Sequence, residues 1–265
     1  MPKPLVSVIL SRTNGEASLR GQTLIDFETV VADARHSLAA GRNRAVEVAQ
    51  GEYLAFLDAE QLWTPTKLEK QASMLTQVPE LNWCYCRSHA VETRVHSGDV
   101  LRPLLLNNFV PSGSVLIRRS IFEGCGGFDE SSAYSPAEEW ELWLRIAAEH
   151  PLGLVDEPLI HLVAGPLTSH QQTGMKQVIE AAVRRHPHRL KDVRSEALAN
   201  ICCLAGHANM RSGMADQARL NFEEALTHTP LRPDAYWRWV SSFLNLSRHV
   251  EGSEKTSSIE NINRG

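Results

Sequence analysis

Three short apolar runs, Val6 to Leu10, Thr29 to Ala32 and Tyr53 to Leu57, constrain the fold more than any other feature of the chain. Each is apolar on consecutive positions and bounded by turn signals. That pattern predicts strands buried on both faces, as in parallel sheets covered by helices. Between the second and third runs lies "SLAAGRNRAVEVAQG", which puts Leu38, Ala45, Val46 and Ala49 at helical spacing and offers Gly51 as a stop. The unit reads as strand-helix-strand, with a crossover long enough to join parallel strands. The first crossover, Gly15 to Phe27, has room for about two helical turns.

Further along, Pro65 to Val78 is amphipathic, with Leu68, Ala72 and Leu75 on one face. "LNWCYCRSHAVET" reads as a strand, Ser114 to Ile117 as another, and "PLGLVDEPLIHLVAG" as a final strand pair or ribbon. Pro136 to His150 predicts a helix whose apolar side holds Trp140 and Trp143, with Glu138, Glu139 and Glu141 in the first turn, where the dipole favours acids. Residues 171–249 carry a helical pattern and no strand signal. The tail from Glu251 is polar and is expected to be disordered.

Composition narrows the function. The chain has 265 residues and a formal net charge of -4, so no bulk basic face for nucleic acid is implied. No stretch approaches the roughly 20 apolar residues of a spanning helix, and the N-terminus reads as a first strand, not as a secretory signal. The five cysteines form no CxxC pair, which fits a reducing compartment. Neither GxGxxG nor GxxxxGK[ST] is present, and the eleven histidines show no HExxH spacing.

Several residues could carry chemistry. The third apolar run stops at Asp58 and Glu60. In open α/β sheets ligands gather at the carboxyl ends of parallel strands, and two acids there can hold a divalent cation that binds a diphosphate. Two solvated acids opening a turn is the plainer reading on spacing alone. Glu138 or Glu139 could act as a general base at a helix start, or simply compensate the dipole. Asp33 could accept a hydrogen bond from a base or ribose, or serve only as a turn residue. Arg42 could meet a phosphate, or lie on the surface.

Taken in order, "LVSVILSRTN", "QTLIDFETVVAD", "AAGRNRAVEVAQGEYLAFLDAE", "PTKLEKQ", "NFVPSGSVLIRRSIFEGCGGFDES", "EEWELWLRIA" and "VDEPLIHL" resemble the family-2 glycosyltransferases over roughly residues 5–170. The resemblance implies an α/β, GT-A-like, Rossmann-type, mostly parallel sheet flanked by helices in residues 1–170. The nucleotide-binding half would be 1–95 and the acceptor half 96–170. An all-α region, 171–250, follows, then the tail, 251–265. Within the helical region Gly206, Ala218, Phe222, Ala225 and Pro230 are similar to the spaced residues of a tetratricopeptide unit.

The resemblance also implies roles. Thr13, Asn14, Asp33 and Arg42 would line the nucleotide pocket, and Asp58 would face the sugar-diphosphate. Asp58 and Glu60 would hold Mg²⁺ or Mn²⁺. Glu139 would be the base, with Glu138 preceding it. Gly126, Gly127, Phe128 and Asp129 match the acceptor-side turn. Trp140 follows the base and either packs or stacks on a sugar. The implied reaction is sugar transfer with inversion from a nucleotide-sugar to a hydroxyl of a saccharide or lipid-linked acceptor, in surface polysaccharide or glycoconjugate synthesis. The implied location is cytoplasmic or peripheral at the inner face of the membrane, and the C-terminal helices are a candidate surface for a protein partner. Departures point to an alternative, a non-catalytic binding or scaffold protein of the same fold. Eight residues separate Asp33 from Arg42, where the family has a further strand and helix, and glutamates replace aspartates at 60 and 139.

Overall fold

The computed structural model describes residues 3–11, 16–33, 35, 37–58, 61–89, 94–162 and 168–243. Thr13, Asn14 and Glu60, and the tail from 251, therefore lie outside the described residues. The elements are β1 (Val6–Leu10), α1 (Glu16–Leu19), β2 (Phe27–Val31), α2 (Leu38–Val48), β3 (Tyr53–Leu57), β4 (Leu62–Trp63), α3 (Lys67–Gln77), β5 (Trp83–Ser88), α4 (Leu101–Leu106), β6 (Leu116–Arg118), α5 (Arg119–Gly124), α6 (Glu138–Ala147) and β7 (Leu152–His161). Then come α7 (Ser169–Arg185), α8 (Pro187–Leu190), α9 (Arg194–Arg211), α10 (Ala215–His228) and α11 (Pro233–Phe243).

The strands form one seven-stranded sheet in the order β2-β1-β3-β6-β5-β7-β4. The parallel expectation holds for β2-β1-β3 and for β5 with β7. The pairings of β6 with β3 and β5, and of β4 with β7, are antiparallel, so the sheet is mixed. The reversal has a topological cause: β6 inserts between β3 and β5 after a long excursion, and enters from the rim at which β3 leaves. β7 is a single strand, not a pair or ribbon, and its register with β5 slips on either side of Arg87.

β1 and β3 are buried at every position. Their residues alternate between two cores, as the twofold period of a strand requires. Ile9, Leu54 and Phe56 face α2, α4 and α6, whereas Val8, Ala55 and Leu57 face α3. β2 was expected to be buried on both faces. It is instead the outer strand of the sheet and is half-exposed, because among the described residues nothing pairs with its far edge. α1 is one turn long, half of what its crossover could hold.

Gly51 does not stop α2, which ends at Val48 with Ala49 as its cap. Its role is close approach. A Cβ there would stand 2.4 Å from the Ser7 backbone nitrogen, and its own N–H donates to Ser7 Oγ at 2.7 Å. On the α3 side, Lys67 is fully buried. Its Nζ stands 3.9 Å from the Trp63 ring centroid and donates to Gln71 Oε1 at 2.7 Å. Burial pushes the Lys67 pKa down to about 8. Gln71 in turn donates to the Ser114 carbonyl at 2.8 Å.

The helical region is continuous with the sheet's core. Val178, Ile179 and Val183 of α7 and Leu198 and Ile201 of α9 belong to the same buried cluster as Trp140, Trp143 and Leu104. Asn200 on α9 donates to the Leu106 carbonyl at 2.8 Å. α9, α10 and α11 share a smaller core of their own around Cys202, Ala218, Phe222 and Ala235. A Cβ at Gly206 would stand 2.6 Å from the Phe222 ring, so the glycine sets how closely α9 and α10 approach.

Candidate active site

Strand register builds the site. Leu10 pairs with both Val31 and Leu57, so β1, β2 and β3 end at one rim. Asp58 follows β3 there and Asp33 follows β2 there. Because β6 runs antiparallel with Leu116 opposite Ala55, the 3-10 turn Ser112–Ser114 arrives at the same rim.

The side chain that joins these parts is Arg42, in the second turn of α2 and 1% exposed. One of its nitrogens reaches Asp58 Oδ1 at 2.5 Å and another reaches Glu139 Oε1 at 2.6 Å. Its guanidinium lies 5.3 Å from the Phe128 ring centroid and 5.9 Å from that of Phe56, close enough for both aromatic faces to add attraction. Burial alone would weaken its charge, but Glu139 and Asp58 outweigh burial and hold the arginine above its ordinary pKa. Removing such an arginine would leave two half-buried acids facing one another, which costs about 3–5 kcal/mol.

Asp58 Oδ2 also accepts from Ser112 Oγ at 3.0 Å and Gln61 Nε2 at 3.2 Å. Glu139 is pushed above the usual carboxylate range by burial, with the Asp58 charge adding to the rise and Arg42 and Ser112 opposing it. A half-buried carboxylate with a raised pKa is suited to take a proton near neutral pH.

Asn43, the next residue on α2, fixes the turn at 126–129, which was expected on the acceptor side. It accepts from the Phe128 N–H at 2.9 Å and donates to the Phe128 carbonyl at 2.8 Å. Gly126 and Gly127 in that turn have φ of 81° and 68°, the left-handed region that side chains avoid. Asp129 accepts from the Ser131 N–H at 2.8 Å. Arg145 of α6 reaches the Gly127 carbonyl at 2.6 Å and pairs with Glu141.

Other expected residues stand elsewhere. Asp33 is exposed and paired to Arg35 at 2.5 Å, which holds its carboxyl below the ordinary range. It shares the rim but none of Arg42's bonds. Trp140 is 1% exposed and donates to the Leu104 carbonyl at 2.8 Å, so it packs and does not present a face to a sugar. Glu138 was read as a candidate base or a first-turn dipole acid, and Glu141 as a first-turn acid. Both are buried, because α6 is covered by α4 and α7. Glu141 is clamped by Arg145 and by Arg185 at 2.5 Å, and one Glu138 oxygen has no partner. Ser112 and Gln61 were missed by sequence reasoning. The only signal for Ser112 was its place in "NFVPSGSV".

Of the expected cation ligands Asp58 is described, and its carboxylate oxygens are of the hard type that divalent cations take. Asp58 is a carboxylate at the strand end, 26% exposed, and its three bonds leave one of about four lone-pair directions open. Its expected companion, Glu60, lies outside the described residues. A cavity of about 590 Å³ stands at the opposite rim, lined by Lys3, Asp26, Gly51, Arg118 and Arg119, and includes none of these groups.

Comparison with known proteins agrees with this architecture. WfaP of Escherichia coli, a UDP-Glc:alpha-D-GlcNAc-diphosphoundecaprenol beta-1,3-glucosyltransferase, is 25% identical over 176 residues, covering 64% of this chain and 66% of WfaP. The chain spans two thirds or less of the length of the curated relatives it matches. Among solved structures, the mannosyltransferase PcManGT of Pyrobaculum calidifontis, in complex with GDP-Man and Mn²⁺, superposes with a TM-score of 0.59 at 16% identity over 93% of this chain and 81% of that one. S. aureus TarS 1-349 in complex with UDP-GlcNAc superposes with a TM-score of 0.56 at 13% identity, over 91% and 89%. These neighbours share the GT-A fold. Residues 18–184 match the family model described as glycosyltransferase like family 2, and the chain belongs to that family.

Proposed function

We propose that the chain transfers a sugar, with inversion, from a nucleotide-sugar to a hydroxyl of a saccharide or lipid-linked acceptor, as part of surface polysaccharide or glycoconjugate synthesis. One observation carries the reading: Asp58 and Glu139, far apart in sequence and supplied by β3 and α6, meet on the single guanidinium of Arg42 at the carboxyl rim of the sheet.

Each residue then has a task. Glu139 takes the proton of the acceptor hydroxyl, and the oxygen attacks the anomeric carbon from the face opposite the departing nucleoside diphosphate. Arg42 opposes the effect of burial on Glu139 and favours its ionised form. Asn43 and the paired glycines shape the acceptor-side turn, and Ser112 steers the Asp58 carboxylate. When bound at Asp58, with Glu60 as the expected second ligand, Mg²⁺ or Mn²⁺ supplies charge neutralisation for the diphosphate. Asp33 at the rim remains the candidate contact for the nucleotide. Among the described residues no helix is long and apolar enough to cross a membrane, so a lipid-linked acceptor would be met at a surface.

The test is nucleotide release from a panel of UDP-, GDP- and dTDP-sugars with Mn²⁺. Glu139→Gln is expected to lower turnover by about 10²–10⁴-fold while donor binding persists. Absence of both turnover and binding across the panel would overturn the reading. A second reading, a binding module without catalysis, is favoured by one feature: Arg42 bonds to both acids and so engages the two carboxylates that transfer would use. Metal-dependent donor binding without turnover in the unaltered protein would select it.

A further inference from the structure

The helical region holds a cluster that sugar transfer does not use. Cys202 of α9 and Glu224 and His228 of α10 present a sulfur, a carboxylate oxygen and a ring nitrogen that all lie within 4.8 Å of one another. Among the described residues this is the one trio of metal-ligating groups whose donor atoms converge. We propose that Cys202, Glu224 and His228 form a three-ligand site for a zinc-type divalent ion that clamps α9 to α10.

The chemistry of the set selects the ion. A thiolate and an imidazole suit zinc and its neighbours, whereas magnesium and calcium demand oxygen. Three protein ligands with a fourth position left to water is an established zinc arrangement. Glu224 and His228 are four residues apart on one helix, so they share a face, and Cys202 meets them from the facing helix. Around a tetrahedral zinc such donors stand about 3.4–3.6 Å apart, so an ion would draw together donors that already lie within 4.8 Å of one another. Cys202 is fully buried, while Glu224 and His228 are half-exposed, which leaves water a path to the fourth position.

Lys176 of α7 is the competitor. Its ammonium donates to both Glu224 oxygens at 2.7 Å and lies against the Cys202 thiol. A carboxylate offers about four lone-pair sites, so the ion and Lys176 can share Glu224, with their like charges opposing each other. This gives the site a signature that an ordinary ion pair lacks: removing the ammonium should tighten metal binding.

The experiment titrates the full chain, stripped with chelator, with Co²⁺ and Zn²⁺. One equivalent of Co²⁺ should produce a thiolate-to-cobalt charge-transfer band. The band should vanish in Cys202→Ser and survive in Cys203→Ser. His228→Ala should weaken zinc binding by at least about 10-fold, since even loss of a group supporting a ligand costs that much. Lys176→Met should tighten it. Absence of the band, its persistence in Cys202→Ser, or an unchanged affinity in Lys176→Met would each overturn the assignment. Far-ultraviolet circular dichroism of each variant confirms that the helices persist, and Lys176→Met, which removes neither a ligand nor a core residue, decides the matter if Cys202→Ser does not fold.

Discussion

At the scale of the residue, the site is a balance of charges around Arg42. The pKa of Glu139 is raised by burial and by Asp58, and lowered by Arg42 and by a hydrogen bond from Ser112. Two substitutions should therefore move it in opposite directions. Ser112→Ala removes a donor to the charged form and should raise the pKa, while Asp58→Asn removes a like charge and should lower it. Carboxyl-carbon NMR of the metal-free protein reads both; movement in the same direction would show that Glu139 does not sense these neighbours. Because the folded pKa exceeds the unfolded one, Glu139 contributes stability that is present at low pH and is lost as pH rises through its folded value. If Glu139 is the base of the proposed transfer, the same displacement should move the acid limb of turnover above that of an ordinary glutamate. Asp58, Glu139 and Arg42 were legible from the order of motifs in the chain. Ser112 and Gln61 were not, because they reach Asp58 through the antiparallel entry of β6 and the turn after β3, and nothing local encodes either approach.

At the scale of the element, α3 carries the clearest cost. Lys67 is buried with its ammonium on Trp63, and its pKa falls from the ordinary 10.5 to about 8. Between those values the unfolded chain binds the proton and the folded chain does not, so stability rises with pH across that window. Relative to Lys67→Met, the unaltered protein should gain on the order of 3 kcal/mol between pH 7 and pH 11, read by denaturant unfolding at each pH. A constant difference across that range would show that Lys67 titrates normally. The elements differed in how well the sequence announced them. β1 and β3 were readable because burial on both faces leaves nearly continuous apolar runs, with Ser7 the one polar residue. β2 has an equally apolar run, yet its exposure depends on whether a neighbour exists at its outer edge, which its own residues do not state. Glu138 and Glu141 of α6 read as first-turn acids that answer the helix dipole, and both are buried, Glu141 against Arg185 of α7.

At the scale of the whole molecule, α7 and α9 share the core on one face of the sheet. Truncation after residue 167 would strip Val178, Ile179, Val183, Leu198 and Ile201 from the cluster that holds Trp140 and Trp143. At about 1.5–3 kcal/mol for each large apolar side chain lost, the deficit rivals the about 5–15 kcal/mol that holds a typical domain together. The truncated chain should lose its cooperative thermal transition. Ending the chain after residue 213 removes only α10 and α11 and the small core around Phe222, and should preserve the transition of the sheet. Equal melting behaviour of the two shortened chains would contradict the shared core. The sequence showed the change of texture near residue 169 but not the continuity beneath it, because a helix's apolar stripe does not declare which partner covers it.

That shared cluster also governs how the C-terminal third can change over generations. Along the seams where α4 meets α9 and α6 meets α7, a bulkier residue on one side must be answered by a smaller one on the other. The helices are thus held to the tempo of an interior, and cannot diverge with the freedom of an appendage.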